Sequence, residues 1–401
     1  MSHSIWQPAL VLLLVAFAVA LRFSKKFRGY QFTAWIIAAV AAAMIYPAHV
    51  LHVGGVDLRN KWLLLIIIQL VMFGMGTQMS LKDFSGVAKS PRGVLVGIVC
   101  HFSVMPLVGF ALVKMFHFQP EIAAGIILIG SCSSGLASNV MAYIAKSNLA
   151  LSVTVTAVTT MLAPIMTPLW MKLLAGQFIE VKFFNMMLEI IKIVLVPIGA
   201  ALLHDYLKHA SPRGRNVVRA IAAFGAAWLA FLVCGGWSWI AAKSPANLAL
   251  GIGIFGFFLA AAVAGVVFHR LTRRLSRLES WMPKFSMFGI VYFTLVTTAA
   301  GRDSLLKIGV LLFFAAIIHN AAGYVFGYWL SRASGLDKNS ARSVAFEVGL
   351  QNGGMASGIA AAMGMLGTMG LAAAIFSPWM NVSGSILANY WAKRSAKAAA
   401  P

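Results

Sequence analysis

Glu347 is the residue whose type and surroundings most strongly indicate chemistry. It is the only carboxylate after Asp337, and the residues around it are apolar or uncharged. An ionisable side chain at membrane depth is costly and normally faces a partner or a water-filled cavity. The sequence therefore predicts that Glu347 marks the path of an ion or a substrate.

Two small-residue segments resemble each other and interrupt apolar runs. They are Ser133-Ser134-Gly135-Leu136-Ala137-Ser138-Asn139 and Asn352-Gly353-Gly354-Met355-Ala356-Ser357-Gly358. His101 and His319 correspond at nearly the same offset. One such run would most simply allow close helix packing. A matched pair carrying Asn, Gln and Glu favours an inverted-repeat transporter, in which broken helices meet near the membrane midplane.

The composition is that of a membrane protein. Hydrophobic residues make up 60% of the 401 residues, charged residues only 10%, and the mean hydropathy is +0.86. A soluble domain would carry roughly a quarter charged residues. The net charge of +22 comes from basic residues in short loops between apolar runs. We therefore predict an all-α polytopic membrane protein and no nucleic-acid partner.

Apolar runs long enough to span a bilayer, about 20 residues each, recur along the whole chain. We place thirteen of them near residues 5–21, 31–48, 62–79, 93–115, 122–145, 149–174, 183–203, 217–242, 246–269, 285–301, 305–330, 340–366 and 370–391. With the N-terminus outside, most of the 32 basic residues fall in cytoplasmic loops. The charge pattern thus predicts a multi-pass protein of a cell membrane, most simply a bacterial inner membrane, with a cytoplasmic C-terminus.

Several longer motifs resemble the bile acid/sodium symporter family. They are Ala137-Ser138-Asn139-Val140-Met141, Ala150-Leu151-Ser152-Val153-Thr154-Val155-Thr156, Glu347-Val348-Gly349-Leu350-Gln351-Asn352 and Trp379-Met380-Asn381-Val382-Ser383-Gly384. The resemblance covers residues 31–205 and 281–394. It implies ten helices in two inverted repeats, divided into a panel domain and a core domain whose two broken helices cross.

On this chain the crossing helices would be 122–145 and 340–366. Residues 31–205 would hold the first repeat and the start of the second, and residues 281–394 the remainder. The first helix, within 1–30, and an inserted helix pair with a basic loop at 206–280 are additions to the ten, and 395–401 form a short tail.

The resemblance also implies sodium ligands. A first site maps onto Ser138, Asn139, Ser152, Thr156 and Glu347. Ser152 and Thr156 are four residues apart, so on a helix both hydroxyls lie on one face. Taken alone they would more often bond to carbonyls of their own helix, but beside a broken helix and an intramembrane acid we expect them to bind a hard cation, which prefers oxygen ligands. A second would use Glu347 again, carbonyls near Val348 and Leu350, the Gln351 side chain and position 101. The family has Gln at that position, whereas this chain has His101. A ring nitrogen is a poorer sodium ligand than an amide oxygen, and histidine titrates near neutral pH. A buried structural histidine, an altered site and proton coupling all remain open.

Substrate contacts are implied around the first crossing and near Trp379. They map onto Ser133, Ser134, Asn352, Met380 and Asn381. The family usually has Pro-Gly-Gly-Thr where this chain has Ser133-Ser134-Gly135-Leu136, and often His at position 380. The substrate of any one family member therefore cannot be assigned to this chain. Hydroxyl donors near the N-terminus of a half-helix favour an organic carboxylate.

An enzymatic function finds little support. The sequence has no Gly-x-Ser-x-Gly, His-Glu-x-x-His or Walker motif, and Glu189 with Lys192 indicates a local ion pair. We predict a secondary transporter that is not an enzyme, needs no cofactor beyond the coupling ion Na⁺, and carries a small organic anion inward. Its partners would be that anion, Na⁺ and membrane lipid, with no obligate protein partner evident. Proton-coupled or uncoupled transport is the alternative, and an intramembrane enzyme acting on a lipid-linked substrate is the alternative of a different class.

Overall fold

The computed structural model describes residues 6–23 and 31–398. Within these ranges the chain is almost entirely helical, apart from a small hairpin of β1 (His52–Val53) and β2 (Val56–Asp57). The N-terminal residues, the basic residues Lys25, Lys26 and Arg28 that the charge pattern predicts to be cytoplasmic, and the end of the tail lie outside the described residues.

A helix occupies each predicted apolar run. The helices are α1 (Trp6–Ala20), α2 (Gln31–Ile45), α3 (Pro47–Leu51), α4 (Lys61–Gly76), α5 (Gly86–Lys89), α6 (Pro91–Phe116), α7 (Pro120–Ser131), α8 (Ala137–Ile144), α9 (Leu149–Trp170), α10 (Phe183–Ile190), α11 (Val196–His209), α12 (Pro212–Phe231), α13 (Trp237–Lys243), α14 (Ala246–Arg274), α15 (Leu278–Ala300), α16 (Arg302–Ala333), α17 (Lys338–Gly349), α18 (Gly353–Ala362) and α19 (Gly370–Ala398). Eight helical stretches of the described chain are long and apolar enough to span a bilayer, or nine if a stretch bent at residues 77–80 counts as one. Thirteen crossings remain a prediction.

Side-chain caps and π-helical turns explain several boundaries. Asn60, Asn148 and Asn352 accept backbone N–H groups at the starts of α4, α9 and α18, where a helix leaves its first donors unpaired. A π-helical turn at Ile191–Leu195 joins α10 to α11 in one long helix. A similar turn at 232–236 joins α12 to α13, where Gly235 adopts φ +105° and the helix kinks.

Both predicted broken helices are confirmed. The run 122–145 divides into α7 and α8, and the run 340–366 into α17 and α18. The two breaks cross: Ser134 pairs with Gln351 in an antiparallel bridge, Gly135 N–H donates to the Leu350 carbonyl (3.0 Å), and Asn352 N–H donates to the Ser133 carbonyl (2.8 Å). Because the breaks satisfy one another, neither leaves these backbone groups unpaired within the membrane.

The helices form two groups, as expected for a panel and a core. The panel is a single row in which each helix packs mainly on the next, in the order α1, α2, α15, α4, α11, α14, α12. The core gathers α6, α9, α16 and α19 around the crossing helices. Panel and core meet where α4 packs on α18, α10 on α9 and α15 on α19. The predicted additions, α1 and the α12–α14 segment, extend the two ends of the panel row.

Candidate ion and substrate site

Glu347 lies at the centre of a closed cluster of oxygen atoms. Its side chain is 0% exposed, near the C-terminal end of α17. Ser138 of α8 donates to Oε1 (2.5 Å), Thr156 of α9 donates to Oε2 (2.8 Å), and Ser152 of α9 also contacts Oε1. The break before α8 and the i,i+4 spacing on α9 therefore aim three hydroxyls at one carboxylate.

Asn139 completes this group, which we call the oxygen cluster (Ser138, Asn139, Ser152, Thr156 and Glu347). Its side-chain Oδ1 lies 2.9 Å from the Ser152 hydroxyl and 3.2 Å from the Thr156 hydroxyl. All five residues that the family resemblance assigned to a first sodium site thus meet in space, although they come from three helices.

The oxygen cluster has more oxygen contacts than protons. A hydroxyl carries one proton, so Ser152 and Thr156 cannot each donate to both Glu347 and the Asn139 amide oxygen that they contact. Ser138 likewise lies near Glu347, Thr156 and the Gly135 carbonyl. A small hard cation would satisfy oxygens that the available protons leave unpaired, and Glu347 would balance its charge. The donor set therefore suits Na⁺.

The residues of the second predicted site make mainly backbone contacts, and the buried Gln351 Oε1 has no hydrogen-bond partner among the described residues. His101 is 0% exposed, and its Nδ1 and Nε2 lie 2.9 Å and 2.8 Å from the carbonyls of Glu347 and Cys132. The Val348 carbonyl accepts the Gln351 amide (2.8 Å), and the Leu350 carbonyl accepts Gly135 N–H. The imidazole of α6 thus contacts both broken helices, and a neutral ring, which carries a single N–H, donates to only one of these two carbonyls. The Val348 and Leu350 carbonyls already accept hydrogen bonds.

A cavity of about 190 Å³ lies between the panel and the crossing. Three of the five residues predicted to contact substrate line it: Asn352, Met380 and Asn381. The structure does not bring Ser133 and Ser134 there. Both are fully buried in the crossing, where Asn352 donates to the Ser133 hydroxyl (3.4 Å) and Ser134 donates to the Leu350 carbonyl (3.3 Å).

Each broken helix has a second half-helix, α8 or α18, and their N-terminal residues, Ala137 and Gly353, also line this crossover cavity. Helix N-termini carry partial positive charge and favour anions. The cavity wall is otherwise largely apolar, with a few polar groups. This chemistry suits a small organic molecule with one anionic group.

Sequence reasoning missed three polar residues of the cavity wall: Gln78, Ser286 and Ser377. Ser377 could have been found, because it precedes Asn381 by four residues and shares its helix face, and its carbonyl accepts the Asn381 amide (2.9 Å). Ser286 belongs to panel helix α15, and Gln78 follows panel helix α4. Only the packing of panel on core places them here.

Comparisons with known proteins identify the family of the chain. A family profile described as "Sodium Bile acid symporter family" matches residues 65–244. The chain is 30% identical over 93% of its length to a Bacillus subtilis protein, "Uncharacterized sodium-dependent transporter YocS", covering 94% of that protein. It is 27% identical over 72% of its length to the human "Ileal sodium/bile acid cotransporter", covering 66% of it.

A solved structure extends the likeness to the fold. The sodium proton antiporter MjNhaP1 from Methanocaldococcus jannaschii aligns with a TM-score of 0.54 over 97% of this chain and 98% of that one. The identity is only 12%, so this likeness concerns the fold alone.

Proposed function

Since the chain belongs to the sodium bile acid symporter family, we propose that it is a secondary transporter that carries a small organic anion by symport with Na⁺. The observation that carries the proposal is the oxygen cluster around Glu347. An ionised carboxylate without a compensating cation is strongly disfavoured away from water. Among the described residues, no Lys, Arg or His forms an ion pair with this carboxylate. An exchangeable Na⁺ would supply the missing charge.

Coupling between ion and substrate follows from the crossing of the two breaks. Ser138 and Asn139, in the first turn of α8, belong to the oxygen cluster, while Leu136 and Ala137 just before them line the crossover cavity. An ion that draws Ser138 and Thr156 toward Glu347 would fix the start of α8. It would thereby order one wall of the cavity that receives the anion, so that each ligand favours binding of the other.

The test is uptake by purified protein in liposomes under an inward sodium gradient, with potassium as the matched control gradient. The probes are a bile salt, pantoate and pyruvate, chosen to span small and large carboxylates. We expect at least one of them to accumulate under the sodium gradient and not under the potassium gradient. Accumulation under a proton gradient without sodium would instead support the proton-coupled alternative, and chemical conversion of a probe in detergent would support an enzyme.

The membrane setting follows the same proposal. The chain is a multi-pass membrane protein, and the distribution of basic residues favours a cytoplasmic C-terminus. We propose a bacterial inner membrane as its location. The crossover cavity then opens toward the cytoplasm, because it is lined by Gln78 just after α4 and Pro283 near the start of α15.

A further inference from the structure

The crossover cavity is closed on one side by contact between α4 and α18. A methyl group on Gly354 would lie 3.2 Å from Met72 Cε and 3.4 Å from Val71 Cγ1. One helical turn further, a methyl group on Gly358 would lie 2.6 Å from Ile68 Cγ1 and 3.4 Å from Ile193 Cδ1. Glycine at these two positions lets the core approach the panel closely. We call this contact the seal (Ile68, Val71, Met72, Gly354 and Gly358).

A second cavity, of about 420 Å³, begins on the other side of the seal. Three elements form its walls: the N-terminal half of α4, the turn that joins α10 to α11, and the C-terminal end of α18. Helix α4 therefore passes from this cavity, at Lys61 to Ile68, through the seal, to the crossover cavity at Met75 and Gln78. By the predicted orientation, the second cavity faces the outside of the cell.

Charged residues distinguish this second cavity, which we call the outer vestibule. Lys61, Glu189 and Lys192 line it above an apolar floor. Lys192 Nζ lies 2.7 Å from Glu189 Oε1, and the two side chains are 35% and 37% exposed. Among the described residues, Lys61 forms no ion pair with an acidic side chain. Two ammonium groups and one carboxylate leave a net positive charge at this opening.

The inserted segment also reaches this position. Lys192 Nζ lies 5.5 Å from the centre of the Phe257 ring on α14, a distance typical of a cation–π contact. The Gln69 side chain donates to the Lys192 carbonyl (3.1 Å) and fixes its backbone against α4. Lys192 is thus held at the vestibule by contacts from the panel and from the inserted helix.

We propose that the outer vestibule is a docking site for the carboxylate of the transported organic anion, used before the seal opens. The inference rests on the proposed function in that the cargo is an anion. A cleft with one sign of charge and low-dielectric walls focuses its field and raises the local concentration of oppositely charged ligands. Lys61 and Lys192 supply that field, and Glu189 weakens it by neutralising Lys192.

The experiment measures initial sodium-driven uptake of the best probe by intact cells, as a function of probe concentration. We expect Lys192→Met and Lys61→Met each to raise KM roughly 3- to 10-fold with little change in the maximal rate, because the field acts on capture and not on passage. Glu189→Gln should lower KM, since it releases the charge of Lys192. Raising ionic strength with choline chloride at fixed sodium should raise the KM of the wild type more than that of Lys192→Met.

Matched controls are Lys182→Met and Lys243→Met. Both remove one positive charge on the same predicted side, and neither residue lines the vestibule. They should leave KM unchanged. A KM of Lys192→Met and Lys61→Met equal to that of the wild type would overturn the docking site while leaving the proposed function intact. An increase in the KM of Glu189→Gln, in the same direction as the lysine variants, would overturn the docking site as well. If the wild type takes up none of the anionic probes, the proposed function itself fails.

Discussion

Two carboxylates, Glu347 and Glu189, lie within helices of this chain and are compensated in different ways. Glu189 pairs with a lysine three residues along its own helix and is partly exposed. Glu347 is completely buried and is surrounded by hydroxyls that come from other helices. A side-chain partner such as Lys192 balances the carboxylate charge of Glu189 permanently and within the same helix. A ring of neutral oxygens leaves the charge to be balanced by an ion that can arrive and depart, which is what ion coupling requires.

The largest expected effect is on sodium-stimulated uptake, which should distinguish Glu347 from Glu189. Glu347→Gln should abolish sodium-stimulated uptake, a loss of about 100-fold or more, because the amide removes the charge that balances Na⁺. Glu189→Gln should keep the sodium dependence and change only the response to anion concentration. Both are measured as uptake against sodium concentration, with the amount of folded protein checked by size-exclusion chromatography. Ordinary sodium activation in Glu347→Gln would remove the basis of the proposed mechanism.

The hydroxyls around Glu347 sharpen the comparison. Ser152→Ala and Thr156→Ala should each raise the sodium concentration for half-activation about tenfold, since a hydrogen bond or ligand to a charged group contributes about 1.5 kcal/mol. Thr160→Ala is the matched control on the same helix, because the Thr160 hydroxyl donates to the Thr156 carbonyl of its own helix (2.8 Å). Equal sodium dependence in Thr156→Ala and Thr160→Ala would mean that the oxygen cluster does not bind the ion.

The seal between the two regions offers a third test. Gly358→Leu should hold α4 and α18 apart, because even a methyl group there meets Ile68 at 2.6 Å. In a variant without the native cysteines, Met72→Cys should then react several-fold faster with a membrane-impermeant thiol reagent added outside. Gly251→Leu is the control, since nothing lies within 4 Å of a methyl group at Gly251. Unchanged labelling in Gly358→Leu would show that this contact does not close the path.

The smallest effect is expected at His101. Its ring already contacts the carbonyls of Glu347 and Cys132, so His101→Gln should mainly lower the free energy of unfolding, by about 1 kcal/mol. The sodium concentration for half-activation should change less than about 3-fold, with a Hill slope near one in both proteins. Thermal unfolding and sodium titration of uptake measure the two quantities. A steeper Hill slope in the variant would instead indicate that His101→Gln restores the second ion site that the family resemblance implies.

Sequence patterns could predict much of the fold because membrane helices satisfy their backbone locally. The apolar runs, both breaks and Glu347 are visible in the sequence, whereas the other four residues of the oxygen cluster are implied by the family resemblance. The alignment of the two broken helices with each other is less visible in the sequence. The sequence match pairs Ala137 with Ala356, whereas the second half-helices, α8 and α18, begin at Ala137 and Gly353. The sequence match aligns the small residues of the two segments, whereas the backbone bridge and the Asn352 cap determine where the helices begin.

The sequence could not predict which side chains line the two cavities, because this depends on contacts between distant segments. Glu189 and Lys192 are indeed an ion pair, as their spacing predicts. Their position in a cavity arises only because α4 and α18 pack beside them. Likewise, Ser133 and Ser134 carry the right chemistry for an anion site, yet the crossing turns them inward toward backbone and away from the crossover cavity. Local residue type specifies what a side chain can bind, and long-range packing specifies what it meets.

The single row of panel helices has a mechanical consequence. The helices predicted to be additions, α1 and the α12–α14 segment, lie at the two ends of the row, so the panel has a larger perimeter against the lipid than the remaining helices alone would give it. Viscous drag and the work of tilting a slab in a bilayer both grow with its width. If the two groups move past each other during transport, we expect the broader panel to move less than the core, which carries the oxygen cluster.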